Sequence, residues 1–327
     1  MRTVNLFFAS ASVATSARGL NFLVCMSSVK IVEVGPRDGL QNEKSEVSTE
    51  VKVELINRLS AVGFANIEAT SFVSPKWVPQ LADATDVMKR IVRRSGVIYS
   101  VLVPNLQGAE RALAAKANEV VIFTAASETF CQKNINCTID QSFERYAAVA
   151  AMAKANGVRL RGSISCSFGC PYEGDVPISS VIKVVNRFKS LGCDEIDLAD
   201  TIGVGTVKRV KELVPAASKE FPIERLAGHY HDTFGQALVN ILASLEAGLT
   251  TFHSSVAGLG GCPYAPGATG NVATEDVLYL LQGLGLETGI SLDEVASIGD
   301  FICTSIGRRN ASRTGSALLA KKKLGPT

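Results

Sequence analysis

The sequence predicts a parallel (β/α)₈ barrel, the TIM barrel, with an additional C-terminal helical segment. Three observations support this α/β fold class: β-rich runs recur at roughly thirty-residue intervals, helical patterns separate them, and the runs number eight. Alternating strands and helices indicate a parallel sheet, and eight strands close it into a barrel. An open doubly wound sheet is the alternative. It would need a Gly-x-Gly-x-x-Gly turn after an early strand, and the sequence has none.

The predicted strands cover residues 30–34, 65–70, 97–103, 119–123, 158–165, 195–198, 226–231 and 250–255. The first helix is predicted over residues 48–62, where apolar residues recur at helical spacing. Ser48 begins this segment as a cap-type residue, and Gly63 stands where a helix stop belongs. Other helices are predicted after Pro79, Gln107, Asp140, Pro177, Thr206, Gly235 and Ala273.

The chain divides into three parts. Residues 29–290 are predicted to form the catalytic barrel, and residues 291–327 a C-terminal helical segment and tail. Residues 1–28 contain no acidic residue, are rich in Ser and Ala, and carry Arg2 and Arg18. This composition is typical of a mitochondrial transit peptide and predicts the mitochondrial matrix. The alternative is a non-native extension before a start at Met26, which would leave the protein in the cytoplasm.

Composition excludes several classes of protein. The net charge is only +2, from 33 basic and 31 acidic residues, so we expect no nucleic-acid partner. No run of about 18 apolar residues occurs, so we expect no membrane span. The eight cysteines include no Cys-x-x-Cys pair, which argues against a structural zinc site and indicates a reducing compartment.

Candidate functional residues follow the predicted strands. The chemistry of such barrels lies at the carboxyl ends of the strands. Most of the chemically capable side chains of this sequence occur at or just after those ends: Arg37, Asp38, Glu68, Asp200, His229, His231 and Cys262. They are therefore predicted to share one rim of the barrel.

His229 and His231 are predicted to bind one metal ion. Side chains two apart on a strand point to the same face, so both imidazoles can face the barrel mouth. The chain has only three histidines, although packed or surface histidines remain the alternative. Asp38 and Asn271 would complete a mixed nitrogen and oxygen set, which suits Mg²⁺ or Mn²⁺.

For several other side chains the sequence allows either a catalytic or a structural role. Arg37 lies in a Pro- and Gly-rich loop, where a guanidinium could stabilise an enolate oxygen or simply form an ion pair. Cys262 follows several glycines in a loop able to close on substrate, although a buried thiol is the default for cysteine. Glu68 and Asp200 are either site carboxylates or structural groups, and each needs a partner if buried.

Several motifs resemble the 3-hydroxy-3-methylglutaryl-CoA lyase family. They occupy residues 33–43, 70–80, 134–137, 169–174, 200–206 and 254–271. The resemblance runs from about residue 29 into the C-terminal region. It implies a TIM-barrel lyase that cleaves the CoA thioester 3-hydroxy-3-methylglutaryl-CoA to acetyl-CoA and acetoacetate, in leucine degradation and ketone-body formation. It also implies a homodimer.

The resemblance implies particular roles for site residues. Asp38, His229, His231 and Asn271 would hold the divalent cation. Arg37 would stabilise the enolate of the departing acetyl-CoA, with Glu68 beside it and the substrate. Cys262 would assist proton transfer, and Asp38 or a histidine such as His231 would remove the hydroxyl proton.

One position departs from the family pattern. His253 stands near the end of the eighth strand, where the family typically has aspartate. If it faces the metal site, metal affinity or proton transfer would suffer by roughly 10–100-fold; if it faces the helices, packing changes instead. Two other functions stay open: a condensing relative of the isopropylmalate or homocitrate synthase kind, and a metal-binding barrel without catalysis. Absence of a long C-terminal domain disfavours the first, and intact Arg37 and Asp38 disfavour the second.

Overall fold

The computed structural model describes residues 28–43, 45–261 and 270–324. Its eight parallel strands form a closed barrel, in which each strand pairs with the next along the chain and the last pairs with the first. The strands are β1 Lys30–Glu33, β2 Asn66–Ser71, β3 Ile98–Leu102, β4 Glu119–Ala125, β5 Arg159–Ser165, β6 Glu195–Asp200, β7 Leu226–Tyr230 and β8 Thr251–Ser254. The predicted (β/α)₈ fold class is confirmed, and the strand bounds differ from the predicted ones by no more than a few residues.

Helices surround the barrel and extend beyond it at the C-terminal end. They are α1 Thr49–Ala61, α2 Ala84–Arg90, α3 Leu106–Ala114, α4 Glu128–Ile135, α5 Ile139–Ala155, α6 Ile178–Leu191, α7 Val207–Ser218, α8 Ala237–Glu246, α9 Thr274–Gly283, α10 Leu292–Ile306 and α11 Arg313–Leu324. The predicted C-terminal helical segment is confirmed by α10 and α11. Helix α4 is an addition that the sequence analysis did not anticipate.

Polar caps explain where several helices begin. The Ser48 hydroxyl accepts from the backbone N–H of Val51 at the start of α1. Thr138 and Gln141 form a reciprocal capping box at the start of α5. At the other end of α1, Gly63 adopts φ +107°, and a side chain there would run into the carbonyl group of Gly289. The stop predicted at Gly63 therefore has both a conformational and a steric cause.

The inside of the barrel is polar. Every second residue of each strand faces inward, and these residues include charged and hydroxylic side chains from most of the strands. The fully buried set contains Asn66, Glu68, Ser100, Glu119, Arg161 and Asp197. The apolar residues of opposite parity, such as Ile67, Ile122 and Ile196, belong to the core that packs against the helices. An interior of this kind must satisfy its charges by pairing, because isolated buried charges are very costly.

The C-terminal helices support the loop that follows β8. The connection between α10 and α11 contains Arg308, whose Nη2 donates to the carbonyl of Gly258 at 2.9 Å. The backbone N–H of Ala311 donates to the carbonyl of Ala257 at 3.1 Å. Glu275 of α9 accepts from the backbone N–H of Ala257 at 2.9 Å. The segment beyond the barrel thus fixes the base of a loop at the carboxyl ends of the strands. Within the described residues, no helix has the length and apolar character needed to span a membrane.

Candidate active site

A single π-helical turn at residues 35–39 presents Arg37 and Asp38 at the rim. The carbonyl of Val34 accepts the backbone N–H groups of Arg37, Asp38 and Gly39, at 3.2, 2.8 and 3.1 Å. This triple contact ends β1 one residue earlier than predicted, because Val34 bonds forward into the turn. A Cβ on Gly39 would lie 2.8 Å from the Cβ of Leu259, so this close approach to the β8 loop requires glycine.

Glu68 joins two buried arginines. Its Oε1 accepts from Arg37 Nε, and its Oε2 accepts from Arg161 Nη2. All three side chains are nearly inaccessible to solvent. Burial alone would raise the pKa of Glu68, but the charges of Arg37 and Arg161 hold it below its ordinary value. The carboxylate therefore stays ionised and orients Arg37 at the mouth of the barrel.

Asp38, His229 and His231 form a group that can hold a divalent cation. One ligand atom of each lies within 4.8 Å of the others. The Nε2 atoms of the two imidazoles are 3.4 Å apart, and Asp38 Oδ2 is 3.9 Å from His229 Nε2. Two nitrogens and a carboxylate oxygen that converge in this way form a donor set that can hold a divalent metal ion.

The electrostatics of this group favour metal binding. Burial would raise the pKa of Asp38, yet the charge of the adjacent Arg37 guanidinium holds it well below its ordinary range. Burial lowers the pKa of both His229 and His231, and Asp38 only partly opposes this. At neutral pH the group thus contains a carboxylate and two uncharged imidazoles, which is the net charge state that a metal ion requires of these groups.

Asn271 lies beside the same group. Its Nδ2 donates to Asp38 Oδ2 at 2.8 Å and to the carbonyl of Leu259 at 3.3 Å. A backbone bridge pairs Asn271 with His231, so the end of the β8 loop is fixed against β7. In this structure the amide nitrogen, rather than the amide oxygen, faces Asp38.

His253 faces the barrel interior, below the cation group. Its Nδ1 is 3.2 Å from His229 Nδ1, and its Nε2 is 3.1 Å from Arg161 Nη1. Of the two placements considered from the sequence, the structure shows the inward one. His253 and Asp197 also form a second group with His229, with ligand atoms within 4.8 Å of one another. His229 therefore contacts Asp38 and His231 with one ring nitrogen and His253 with the other.

One other predicted site residue, Asp200, lies apart from this cluster. Asp200 accepts from the backbone N–H groups of Val204 and Gly205 at 3.0 and 2.9 Å, and burial raises its pKa to about 7. It has the opposite strand parity to Asp197, so it shapes the loop after β6 instead of facing the cluster. Cys262 lies outside the described residues. The loop is described up to Gly261, whose carbonyl accepts from Asn42 Nδ2 at 2.9 Å.

Sequence reasoning missed three buried charged residues near the cluster. Arg161, Glu195 and Asp197 all lie on strands and face the barrel interior, close to His253. The available signal was their position: a charged residue within a strand that is covered on both faces must point into the barrel. Glu195 and Asp197 also share parity in β6, which places both on one face.

The fold and the cluster define a TIM barrel in which a group of possible metal ligands and a buried arginine lie together at the carboxyl ends of the strands. A protein-family model described as HMGL-like matches residues 28–302, and the chain belongs to this family. The human mitochondrial hydroxymethylglutaryl-CoA lyase is 53% identical over 306 residues, which cover 94% of this chain and 93% of the relative. The resemblance found in the sequence is confirmed.

Solved structures agree with this assignment. The crystal structure of hydroxymethylglutaryl-CoA lyase from Pseudomonas aeruginosa matches with a TM-score of 0.89 and 54% identity, covering 90% of this chain and 99% of that one. An HMG-CoA lyase from Acinetobacter baumannii, solved in complex with coenzyme A and 3-methylmalate, matches with a TM-score of 0.86 and 39% identity. That match covers 89% of this chain and 95% of the other. Relatives thus occur both in mitochondria and in bacteria.

Proposed function

We propose that this chain is a metal-dependent carbon–carbon lyase that cleaves 3-hydroxy-3-methylglutaryl-CoA to acetyl-CoA and acetoacetate. The observation that carries the proposal is the identity of more than half of the residues with named lyases over about nine-tenths of the chain. The cluster of Arg37, Asp38, His229 and His231 at one rim supports it, since this reaction needs a cation site beside a donor to an enolate.

Asp38, His229 and His231 would hold Mg²⁺ or Mn²⁺, with Asn271 as a fourth ligand. An oxygen ligand from Asn271 requires its amide to present Oδ1 in place of Nδ2, which now faces Asp38. When bound, a divalent cation supplies positive charge that draws substrate oxygens to the site and lowers the pKa of a hydroxyl. The mixed nitrogen and oxygen donor set supports Mg²⁺ or Mn²⁺ over a closed structural zinc site.

Arg37 would stabilise the enolate that forms when the carbon–carbon bond breaks. Its Nε is taken by Glu68 and its Nη1 donates to Asp38 at 2.7 Å, while Nη2 donates to no residue within the described part of the chain. This Nη2 is therefore the donor available to the thioester oxygen. Because Glu68 and Asp38 fix the guanidinium before reaction, little reorganisation accompanies the appearance of charge.

Two proton transfers complete the reaction. Asp38 or His231 would accept the proton of the tertiary hydroxyl, whose oxygen becomes the ketone of acetoacetate as the carbon–carbon bond breaks. The electron pair of that bond passes to the thioester and forms the enolate of acetyl-CoA. The thiol of Cys262 would then protonate the enolate carbon, and closure of its glycine-rich loop would exclude water.

The larger assembly and the location of the protein follow the family. We propose a homodimer, with residues 29–290 as the catalytic domain and residues 291–327 as a C-terminal segment that supports the loop after β8. If residues 1–28 act as a transit peptide, the protein works in the mitochondrial matrix; otherwise it works in the cytoplasm. Import of a fluorescent protein fused to residues 1–28 distinguishes the two locations.

The reaction can be tested by identifying its products in D₂O. Incubation of 3-hydroxy-3-methylglutaryl-CoA with the protein and Mg²⁺ should give acetoacetate and acetyl-CoA in equal amounts. The acetyl-CoA should carry one deuteron in its methyl group, because the enolate takes its proton from an exchangeable thiol. Absence of both products from a folded, metal-loaded protein would overturn the proposal, and condensation of acetyl-CoA with 2-oxo acids would then be assayed.

A further inference from the structure

All three histidines of the chain are connected through their ring nitrogens. His231 Nε2 lies 3.4 Å from His229 Nε2, and His229 Nδ1 lies 3.2 Å from His253 Nδ1. At the inner end, Arg161 Nη1 lies 3.1 Å from His253 Nε2. All of these side chains are buried, so water does not supply their hydrogen-bond partners. At each contact in this series one atom must donate and the other accept, and this decides which nitrogen of each ring carries a proton.

The arrangement seen in the structure gives His229 the wrong tautomer for a metal ligand. Arg161 can only donate, so His253 accepts at Nε2 and carries its proton on Nδ1. His253 Nδ1 then donates to His229 Nδ1, which leaves the proton of His229 on Nε2. That nitrogen is the one that faces Asp38 and His231. With a proton there, His229 has no lone pair to offer the cation.

A ligating His229 requires the opposite tautomers. His229 must then carry its proton on Nδ1 and donate to His253 Nδ1, so His253 must carry its own proton on Nε2. Each neutral ring keeps one proton, and none is gained or lost overall. The Nε2–H of His253 needs an acceptor, which Arg161 cannot be.

Glu195 supplies that acceptor. Its Oε1 is 3.8 Å from His253 Nε2 and has no hydrogen-bond partner among the described residues, although the side chain is only 5% exposed. Its other oxygen is held by Lys30 Nζ at 2.7 Å. A buried, unpartnered carboxylate oxygen costs free energy, so its placement beside His253 calls for an explanation.

We propose that His253 and Glu195 are positioning residues for the cation site, which hold His229 in the tautomer that binds metal. In this chain the carboxylate that orients a metal-ligating histidine acts through an intervening imidazole. In the metal-loaded protein, His229 should bind the cation and donate a hydrogen bond to His253, which should donate to Glu195. In the metal-free protein, Arg161 should donate to His253, which should donate to His229. This inference rests on the cation site proposed above.

The tautomers can be observed directly by nuclear magnetic resonance. With ¹⁵N-histidine labelling, only three imidazoles appear, and diamagnetic Mg²⁺ leaves their signals sharp. We expect His253 to carry its proton on Nδ1 without Mg²⁺ and on Nε2 with it, and His229 to change from Nε2–H to Nδ1–H. Identical tautomers of His253 in the two states would overturn the inference.

Measurements of metal affinity distinguish the positioning role of Glu195 from general effects on folding. Calorimetric titration with Mg²⁺ should show a dissociation constant about 10–100-fold weaker for Glu195→Gln than for the unaltered chain. Lys30→Gln is the matched control, because it removes the partner of the other oxygen of Glu195, and it should change the constant by less than about threefold. Thermal unfolding of each variant shows whether it is folded.

A double variant makes the test sharper. His253→Asp places a carboxylate directly against His229 Nδ1, so Glu195 should no longer matter for metal binding. We therefore expect His253→Asp alone and combined with Glu195→Gln to bind Mg²⁺ equally well. If Glu195→Gln weakens Mg²⁺ binding as much in the His253→Asp background as in the unaltered chain, the positioning role of His253 and Glu195 is wrong, although the cation site itself is still supported. No Mg²⁺ or Mn²⁺ binding by the unaltered chain would overturn the site and the positioning role together.

Discussion

Arg37 Nε donates to Glu68 Oε1 where both side chains are shielded from solvent. Arg37 belongs to the turn after β1, and Glu68 belongs to β2, so the contact fixes the rim turn against the neighbouring strand. The same carboxylate binds Arg161 of β5 across the barrel. A group proposed to act on substrate is thus held by a carboxylate that also neutralises the barrel interior. Substitution of Arg37 should therefore lower mainly the catalytic rate, and substitution of Glu68 should also lower the free energy of unfolding.

Arg37→Gln should reduce kcat about 10²–10³-fold, because one preorganised donor to the enolate oxygen is lost. Steady-state assays with 3-hydroxy-3-methylglutaryl-CoA measure the effect. Arg58→Gln is the control, since Arg58 of α1 contacts Glu54 and the ring of Phe301 and no residue of the cluster. An Arg37→Gln variant with unchanged kcat would remove Arg37 from the mechanism.

Glu68→Gln should lower the free energy of unfolding by about 3–5 kcal/mol, because it leaves two buried guanidinium groups without their shared counter-charge. Urea unfolding followed by circular dichroism measures this change. Glu54→Gln alters an exposed pair and should shift the free energy of unfolding by less than about 1 kcal/mol. Equal effects of the two substitutions would mean that the Glu68 pairs contribute little.

Glu275 should make stability depend on pH. Burial raises its pKa from 4.5 to about 8, so the folded protein binds a proton that the unfolded chain releases at lower pH. Its contribution to stability is therefore fully present below about pH 4.5 and is lost as pH rises through about 8. Glu275→Gln should reduce the decline of the unfolding temperature between these limits. Glu294→Gln, at an exposed position of α10, should leave the profile unchanged.

Gly63→Ala and Gly283→Ala should have opposite effects. At Gly63 the backbone has φ +107° and a Cβ would overlap the Gly289 carbonyl, so alanine should destabilise by more than about 1 kcal/mol. Gly283 lies at the end of α9 with open space where a Cβ would extend, and alanine there should be neutral or stabilising by up to about 1 kcal/mol. Differential scanning calorimetry of the two variants decides between these outcomes; destabilisation of both would contradict the argument.

The sequence was sufficient for the fold class because all eight strands and most of the helices have a local pattern. The His229 and His231 pairing was also predictable, since a spacing of two fixes a common face on any strand. The roles of Arg161 and Glu195 could not be predicted, because they depend on which side chains the barrel brings into contact with them. The spacing of residues along one strand does not contain that information. The rule that chemistry lies at strand ends selects Asp200, which follows the predicted sixth strand, yet strand parity turns its side chain away from the cluster.

Helix α4 illustrates a different limit. Its eight residues, Glu128–Ile135, are too few for a clear apolar period, and only three residues separate it from the next helix. Its start depends on Ser127, whose hydroxyl accepts from the backbone N–H of Phe130 at 3.1 Å. A single cap of that kind is hard to separate from a turn in the sequence alone.

We propose that the rim cluster cleaves 3-hydroxy-3-methylglutaryl-CoA only when a divalent cation is bound. The most direct measurement is the rate of acetoacetate release, first in chelator and then after addition of Mg²⁺ or Mn²⁺. We predict no release in chelator and full recovery with either ion. Release that is equally fast in chelator, or no release from the folded protein with either ion, would contradict the claim.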